Sequence, residues 1–205
     1  MVAQEFSRRV GDHLIHVTLA ENIPSIEENG LIRPVKMAAI CSVPTKSLLL
    51  RTEALKLRSA GISARLNSQA WLVAGRNQAS NFLDGHSLET WSAQLDDRLF
   101  FWPKQKGEAF ARSLSNRGDH VALQLDSRLF YDAFSAQIDL APINTGSAMR
   151  RAARRGDWIY VPAQASWDTF ADNRIKRGLT KTRDSVTEVS LKTDIPRDIL
   201  ASLRL

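Results

Sequence analysis

The chain has few of the residues that build covalent or metal-bound scaffolds. Its single cysteine, Cys41, excludes an intramolecular disulfide and a cysteine-based metal cluster. No two histidines have the HExxH spacing of a zinc site. No apolar run approaches the roughly 18 residues of a membrane-spanning helix, and residues 1–10 lack an apolar signal core. We therefore expect a cytoplasmic protein without a structural metal or a membrane span.

Two further absences argue against common nucleotide-binding folds. The sequence has no glycine-rich phosphate loop after a strand and no regular βαβα alternation, which disfavours Rossmann and P-loop folds. It also has no internal repeat. A length of 205 residues with 43% hydrophobic and 24% charged residues is typical of one globular domain. We predict a single domain over residues 1–205.

Acidic residues are outnumbered by basic ones. The chain has 22 Asp and Glu against 28 Lys and Arg, a formal net charge of +6, which favours nucleic acid or another polyanion as a partner. Four of the arginines lie within Arg150–Arg155, and a second basic stretch runs from Arg174 to Arg183. These stretches form either a solvated face or a rim that contacts phosphates.

Strands are scattered among short helices, which predicts a mixed α+β fold. The predicted strands span residues 13–17, 98–103, 120–126, 138–143, 156–162 and 187–191. Helices are predicted over residues 22–29, 88–95, 104–114 and 195–200, and a short helix or turn over 129–134. Residues 51–66 carry helix formers, which favours a further helix, and residues 34–50 are irregular or loosely helical.

The last predicted strand contains a carboxylate. Glu188 lies between Thr187 and Val189, whose β-branched side chains favour the extended state. Strand carboxylates usually face solvent, because alternation leaves one face wet. A buried and ionised Glu188 would be costly and would therefore indicate function.

Three other motifs offer chemistry. His16 and Thr18 lie two apart on an early strand, so both point to one face and can bind ribose hydroxyls or an amide. The aromatic run Phe100–Trp102 forms either core or a surface that stacks on a flat ring. The turn at Asn144–Ser147 can present amide and hydroxyl donors to a phosphate-bearing ligand. Each motif also has a purely structural interpretation.

Taken in order, the motifs at the two ends of the chain resemble the DarT-like ADP-ribosyltransferases. His16-Val17-Thr18 is followed by Asn22–Ile26 and Gly30-Leu31, which is similar to the His-x-Thr strand and first helix of that superfamily. Thr187-Glu188-Val189 and then Ile195-Pro196 resemble its closing strand, which bears a glutamate.

The middle of the chain is closest to an uncharacterised bacterial family of the same superfamily. That family has a Phe-Phe-Trp motif, an Arg-Asp-Gln triplet, an Ile-Asn-Ser-Gly loop and a following Arg-Gly. The similar segments here are Asp96–Trp102, Arg76-Asn77-Gln78, Ile143–Gly146 and Arg155-Gly156. The resemblance covers most of the chain.

The resemblance implies a fold of two small packed β-sheets flanked by short helices, with an NAD cleft between them. It implies that Glu188 is the catalytic residue and that an aromatic of the Phe101–Trp102 pair stacks on nicotinamide. Arg76 or Arg155 could pair with the pyrophosphate. The implied set that binds NAD is His16, Thr18, Asn22, Arg76, Phe101, Trp102 and Asn144.

The implied reaction is the transfer of ADP-ribose from NAD to an acceptor. Cleavage of the nicotinamide–ribose bond has a transition state like that of glycoside cleavage, and a carboxylate beside the ribose stabilises its positive charge. Val186 stands two residues before Glu188, where arginine-modifying members usually carry Glu or Gln. This difference disfavours protein arginine as the acceptor and leaves DNA, RNA or a nucleotide.

Two alternatives remain open on the sequence. One is an NAD-dependent RNA 2′-phosphotransferase. The other is a non-catalytic module of the same fold that binds a nucleotide or nucleic acid, for example in a toxin system with a neutralising partner protein.

Overall fold

A computed structural model describes residues 1–114, 118–149, 152–180 and 184–205. In these residues the protein is an α+β structure, with a six-stranded antiparallel sheet, a separate two-stranded hairpin and ten α-helices. The strands are β1 His13–Leu19, β2 Leu55–Ser59, β3 Ile62–Leu66, β4 Leu99–Pro103, β5 His120–Asp126, β6 Ile138–Ala141, β7 Val161–Pro162 and β8 Glu188–Leu191. The helices are α1 Ala3–Val10, α2 Ile23–Asn29, α3 Pro34–Ile40, α4 Ala70–Val73, α5 Ala79–Phe82, α6 Leu88–Asp96, α7 Lys104–Ser113, α8 Ser127–Phe134, α9 Trp167–Lys176 and α10 Arg197–Leu203.

The six strands have the order β5-β1-β4-β8-β6-β7, and β4 joins two halves of the sheet. The end of β4 pairs with β1 at Trp102 and Pro103, whereas its beginning, Leu99 to Phe101, pairs with β8. Beyond Ile15, β1 continues to pair with β5 but not with β4, in the part of the chain that the structure describes. The sheet therefore opens between β1 and β4 just where His16 lies.

The main hydrophobic core lies on one face of this sheet. Leu99 and Phe101 of β4 point into it, together with Val189 and Leu191 of β8. Helices α1, α8 and α10 cover the same core, with Phe6 against Tyr131 at a ring distance of 5.0 Å. The alternation that buries Leu99 and Phe101 places Phe100 and Trp102 on the other face. That second face carries the cavity described below.

The predicted helix over residues 51–66 is wrong, because these residues form the hairpin β2–β3. Side chains on the hairpin alternate between buried and exposed, and Leu57 and Leu66 pack in a small core with Ala38 of α3. Gly61, with a φ of +83°, closes the two-residue turn between Ser59 and Ile62. Alternating apolar residues and a turn glycine outweighed the helix propensity of the Leu, Lys and Arg residues.

Other predictions needed smaller corrections. The strands over residues 13–17, 98–103, 120–126 and 187–191 are confirmed to within two residues at either end. The strand over 156–162 is reduced to Val161–Pro162 and is preceded by a short 3-10 turn. In the segment over 34–50, which was expected to be irregular or loosely helical, residues Pro34–Ile40 form α3. None of the helices in the described residues is long and apolar enough to cross a membrane.

Candidate functional site

A cavity of about 290 Å³ opens on the face of the sheet opposite the main core. Its walls come from the end of β1, from β4, from the hairpin β2–β3, from α2 and from the beginning of β8. The size is at the lower end of the range typical of small-molecule sites. Five of the predicted site residues line this cavity together with Glu188: His16, Thr18, Asn22, Trp102 and Asn144.

Glu188 is buried, with 2% of its surface exposed, so the solvent-facing alternative is wrong. It pairs with Ala141 in the sheet, and its Oε1 accepts hydrogen bonds from the hydroxyl and the backbone N–H of Thr145. Oε2 makes no hydrogen bond to any described residue. Burial raises the pKa of Glu188 to about 7, although Thr145 and the charges of Arg155 and Arg98 favour its ionised form.

A network of buried polar groups holds Thr145 in place. Tyr160 donates its hydroxyl proton to Thr145 Oγ1 at 3.0 Å. The Thr145 carbonyl accepts from Trp91 Nε1 at 3.0 Å and from Arg155 Nη1 at 2.8 Å. Sequence reasoning singled out the turn and Arg155 but missed Tyr160 and Trp91. The network therefore fixes Thr145, which in turn holds Oε1 of Glu188.

The segment before Glu188 is tied to helix α7. Lys106 Nζ donates to the Val186 carbonyl at 2.6 Å and lies 3.0 Å and 3.1 Å from the hydroxyls of Ser185 and Thr187. Burial lowers the pKa of Lys106, and nearby Asp184 opposes this shift. Val186 packs in the main core, so no polar side chain stands two residues before Glu188 at the cavity.

His16 lies in the opening of the sheet. Its Nδ1 is 2.9 Å from the Phe100 carbonyl, and because a carbonyl can only accept, Nδ1 carries the proton. Burial lowers the pKa of His16, with the Phe100 hydrogen bond opposing, so the neutral ring is favoured. Neutral His16 then has an acceptor at Nε2.

Thr18 and Asn22 have most of their hydrogen bonds within the protein. Asn22 Nδ2 donates to Thr18 Oγ1 and to the Arg65 carbonyl, each at 3.0 Å, and Asn22 Oδ1 accepts from Arg65 N at 2.7 Å. These contacts fix the hairpin against β1. Both residues line the cavity, but Asn22 serves mainly to build its wall.

Phe101 does not reach the cavity, and its predicted contact with NAD is corrected. It is fully buried and packs edge-to-face on Phe130, at a ring distance of 4.9 Å. Phe100 and Trp102 line the cavity instead, because side chains alternate along β4. Trp102 is stacked on Phe110 of α7 at 4.5 Å, which fixes its orientation.

The two arginines predicted to bind pyrophosphate also lie elsewhere. Arg76 is exposed and outside the cavity lining, and Arg155 is 1% exposed and bound to backbone carbonyls. Burial lowers the pKa of Arg155 to about 10. The arginines that line the cavity are Arg51, Arg65 and Arg98.

Their partners decide which of these arginines can meet an anion. Arg98 is paired with buried Asp139 at 2.6 Å, and its guanidinium lies 3.9 Å from the centre of the Tyr160 ring. Arg65 contacts only the exposed Glu21 at 3.2 Å, among the described ion pairs, and its side chain is 42% exposed. Arg65 is therefore the cation best placed to meet a phosphate.

The structure describes only part of the two basic stretches. Arg150, Arg151, Lys181 and Arg183 lie outside the described residues. Of the remaining arginines in these stretches, Arg155 is buried and Arg177 is paired with Asp184 and only 7% exposed.

Asn144 lines the cavity through the turn that carries Thr145. Its Oδ1 accepts from Gly146 N at 3.1 Å, which closes the turn and leaves the side-chain amide nitrogen as a donor.

Within the described residues, no group of three or more His, Cys, Asp or Glu side chains could hold a metal ion.

Comparisons with known proteins give a family but no activity. No curated protein matches the chain, and no solved structure matches it. A model described as a family of unknown function (DUF7002) matches residues 12–203, a range that includes every residue lining the cavity. The chain therefore belongs to this family of unknown function.

Proposed function

We propose that the protein is an NAD-dependent ADP-ribosyltransferase that binds NAD in the cavity between β1, β4 and β8. The observation that carries the proposal is the convergence of His16, Trp102 and Glu188, which are far apart in sequence, on one cavity. His16 and Glu188 stand at the positions that resemble the first and last motif strands of DarT-like enzymes, and Trp102 stands in the motif that resembles the related uncharacterised family.

The chemistry of the cavity wall suits a dinucleotide. Neutral His16 offers Nε2 as an acceptor for a ribose hydroxyl. Phe100 and Trp102 offer aromatic surface for a flat ring, and Arg65 offers a positive charge for a phosphate. The described lining thus contains a suitable partner for each chemical part of NAD.

Glu188 is the proposed catalytic residue. Bound NAD would supply a nicotinamide leaving group, whose departure places positive charge on the attached ribose. Ionised Glu188 stabilises that charge from the cavity wall. Because Thr145 occupies Oε1, Oε2 is free to hold a ribose hydroxyl or to accept a proton from the acceptor.

A nucleic acid acceptor is favoured by a second cavity of about 210 Å³ that shares walls with the first. Arg65, Trp71 and Phe110 line both cavities, and His120 lines the second. Aromatic and cationic side chains in one groove are typical of single-stranded nucleic acid sites. The net charge of +6 acts in the same direction.

Radiolabelled NAD tests the activity directly. Purified protein is incubated with NAD labelled in its ADP-ribose part and with single-stranded DNA, RNA or cell lysate. We expect label on a nucleic acid with wild-type protein and a loss of about 100-fold or more with Glu188→Gln. Glu89→Gln, an exposed glutamate on α6, is the matched control and should keep full activity.

The other outcomes separate the alternatives. Label transfer that survives Glu188→Gln would contradict the role of Glu188. Binding of NAD without transfer to any acceptor would favour a binding module. Removal of phosphate from 2′-phosphorylated RNA without stable labelling would favour the phosphotransferase.

A further inference from the structure

A second polar centre in the cavity plays no part in the proposed chemistry. Arg51 Nη1 is 2.6 Å from Asp96 Oδ2, and both residues line the cavity. Their side chains are only 11% and 5% exposed. A buried ion pair is weak evidence for stability, because desolvation of both charges offsets most of their attraction. A binding role would account for its position.

The surrounding residues fix both members of the pair. Arg51 also donates from Nη1 to the Leu48 carbonyl at 2.9 Å and from Nε to the Asn67 carbonyl at 2.8 Å. Gln69 Nε2 donates to Asp96 Oδ2 at 3.1 Å. The guanidinium and the carboxylate are therefore held in fixed orientations before any ligand arrives.

The backbone next to Arg51 is strained. Leu50 has a φ of 51°, in the left-handed region that non-glycine residues rarely adopt. Its N–H donates to both Gln69 Oε1 and Ser92 Oγ, each at 2.9 Å, which holds the conformation. Strain that the surroundings maintain in this way is concentrated at ligand sites.

Each member of the pair retains one unused polar atom. Arg51 Nη2 and Asp96 Oδ1 make no hydrogen bonds to the described residues. Because both residues line the cavity, Arg51 can supply a donor to a ligand and Asp96 an acceptor. We infer that Arg51 and Asp96 bind a ligand edge that carries an N–H donor next to an acceptor, with Asp96 accepting and Arg51 donating.

This inference rests on the proposed function, and NAD has two edges of that kind. One is the carboxamide of nicotinamide, with its NH₂ beside a carbonyl. The other is the adenine edge, with the 6-amino group beside N1. Two analogues distinguish them. Nicotinic acid adenine dinucleotide replaces the carboxamide by a carboxylate, and nicotinamide hypoxanthine dinucleotide replaces the 6-amino group by a carbonyl.

Calorimetric titration of the wild-type protein with NAD and both analogues is the first test. If the pair holds the carboxamide, the nicotinic acid analogue binds at least ~10-fold more weakly than NAD and the hypoxanthine analogue binds as NAD does. If the pair holds adenine, the hypoxanthine analogue binds at least ~10-fold more weakly than NAD and the nicotinic acid analogue binds as NAD does. Affinities of both analogues within about 3-fold of that of NAD would overturn the inference. Absence of NAD binding would overturn the proposed function, and the inference with it.

The second test removes the pair as a unit. Arg51→Met/Asp96→Leu exchanges both charges for apolar groups, which is usually close to neutral for folding, and thermal unfolding checks this. The variant should bind all three dinucleotides within about 3-fold of one another. If the variant kept the wild-type difference in affinity between NAD and its analogues, the inference would be contradicted. Arg33→Met/Asp194→Leu removes an ion pair of 3.2 Å outside the cavity lining and should leave the discrimination unchanged.

Discussion

Two buried carboxylates line the same cavity, and they are held in different ways. Asp96 has a direct cationic partner, Arg51, at 2.6 Å. Glu188 is held by the hydroxyl and N–H of Thr145, and Arg155 and Arg98 act on it only through their fields. Burial raises the pKa of both carboxyl groups, to about 7 for Glu188. The comparison indicates that Asp96 is built as part of a fixed charge pair, whereas Glu188 changes its charge near neutral pH.

The largest expected effect on stability comes from removing one member of the pair. Asp96→Asn leaves Arg51 buried without its counter-charge and should lower the free energy of unfolding by about 3–5 kcal/mol. Urea denaturation measures this loss. The neighbouring Asp97→Asn is the control, because the Asp97 side chain is 59% exposed and its ion pair with Arg33 should contribute little. Equal losses of stability in Asp96→Asn and Asp97→Asn would contradict the view that the buried Asp96 needs its counter-charge more than the exposed Asp97 does.

Whereas Asp96→Asn should lower the free energy of unfolding, Glu188→Gln should raise it above neutral pH. Because the folded-state pKa of about 7 lies above that of an unfolded glutamate, the folded protein retains a proton that the unfolded chain loses. The stability from Glu188 is therefore present at low pH and lost as pH rises through about 7. Glu188→Gln should raise the free energy of unfolding by roughly 1–3 kcal/mol at pH 8 and leave it nearly unchanged at pH 4. Destabilisation at pH 8 would contradict the account.

The smallest expected effect concerns the hydroxyl of Thr145. Activity should rise with pH through about 7 as Glu188 ionises. Thr145→Val removes a hydrogen bond that favours the ionised form, so the midpoint of kcat/KM against pH should move upwards by ~1 unit. Tyr160→Phe removes only the hydroxyl that donates to Thr145, and it should move the midpoint less. If Thr145→Val left the midpoint unchanged, the Thr145 hydroxyl would not influence the pKa of Glu188.

The sequence predicted those parts of the fold that depend on local patterns. Short runs of apolar and β-branched residues identified β1, β4, β5 and β8. The motifs on three of these strands brought His16, Trp102 and Glu188 into the candidate site. Phe101 was chosen where the cavity has Phe100, because the aromatic motif does not show which of its side chains face the cavity and a shift of one residue reverses the face.

The rest depends on contacts between distant residues. Arg51 and Asp96 are 45 residues apart, and Thr145 and Glu188 are 43 apart, so no local pattern indicates either contact. Arg76 and Arg155 were selected by motif alone, and a motif does not show whether a guanidinium faces the cavity or a backbone carbonyl. Residues 51–66 were misjudged because helix propensity is a weak guide once a hairpin can bury Leu57 and Leu66.

An NMR titration of the Glu188 carboxyl carbon, assigned by its absence in Glu188→Gln, tests the central claim most directly. In the free protein the pKa should be about 7. NAD should lower it, because the nicotinamide ring of the bound dinucleotide brings a positive charge to the carboxylate. A pKa near the ordinary ~4.3 of glutamate, or one that saturating NAD leaves unchanged, would contradict the account.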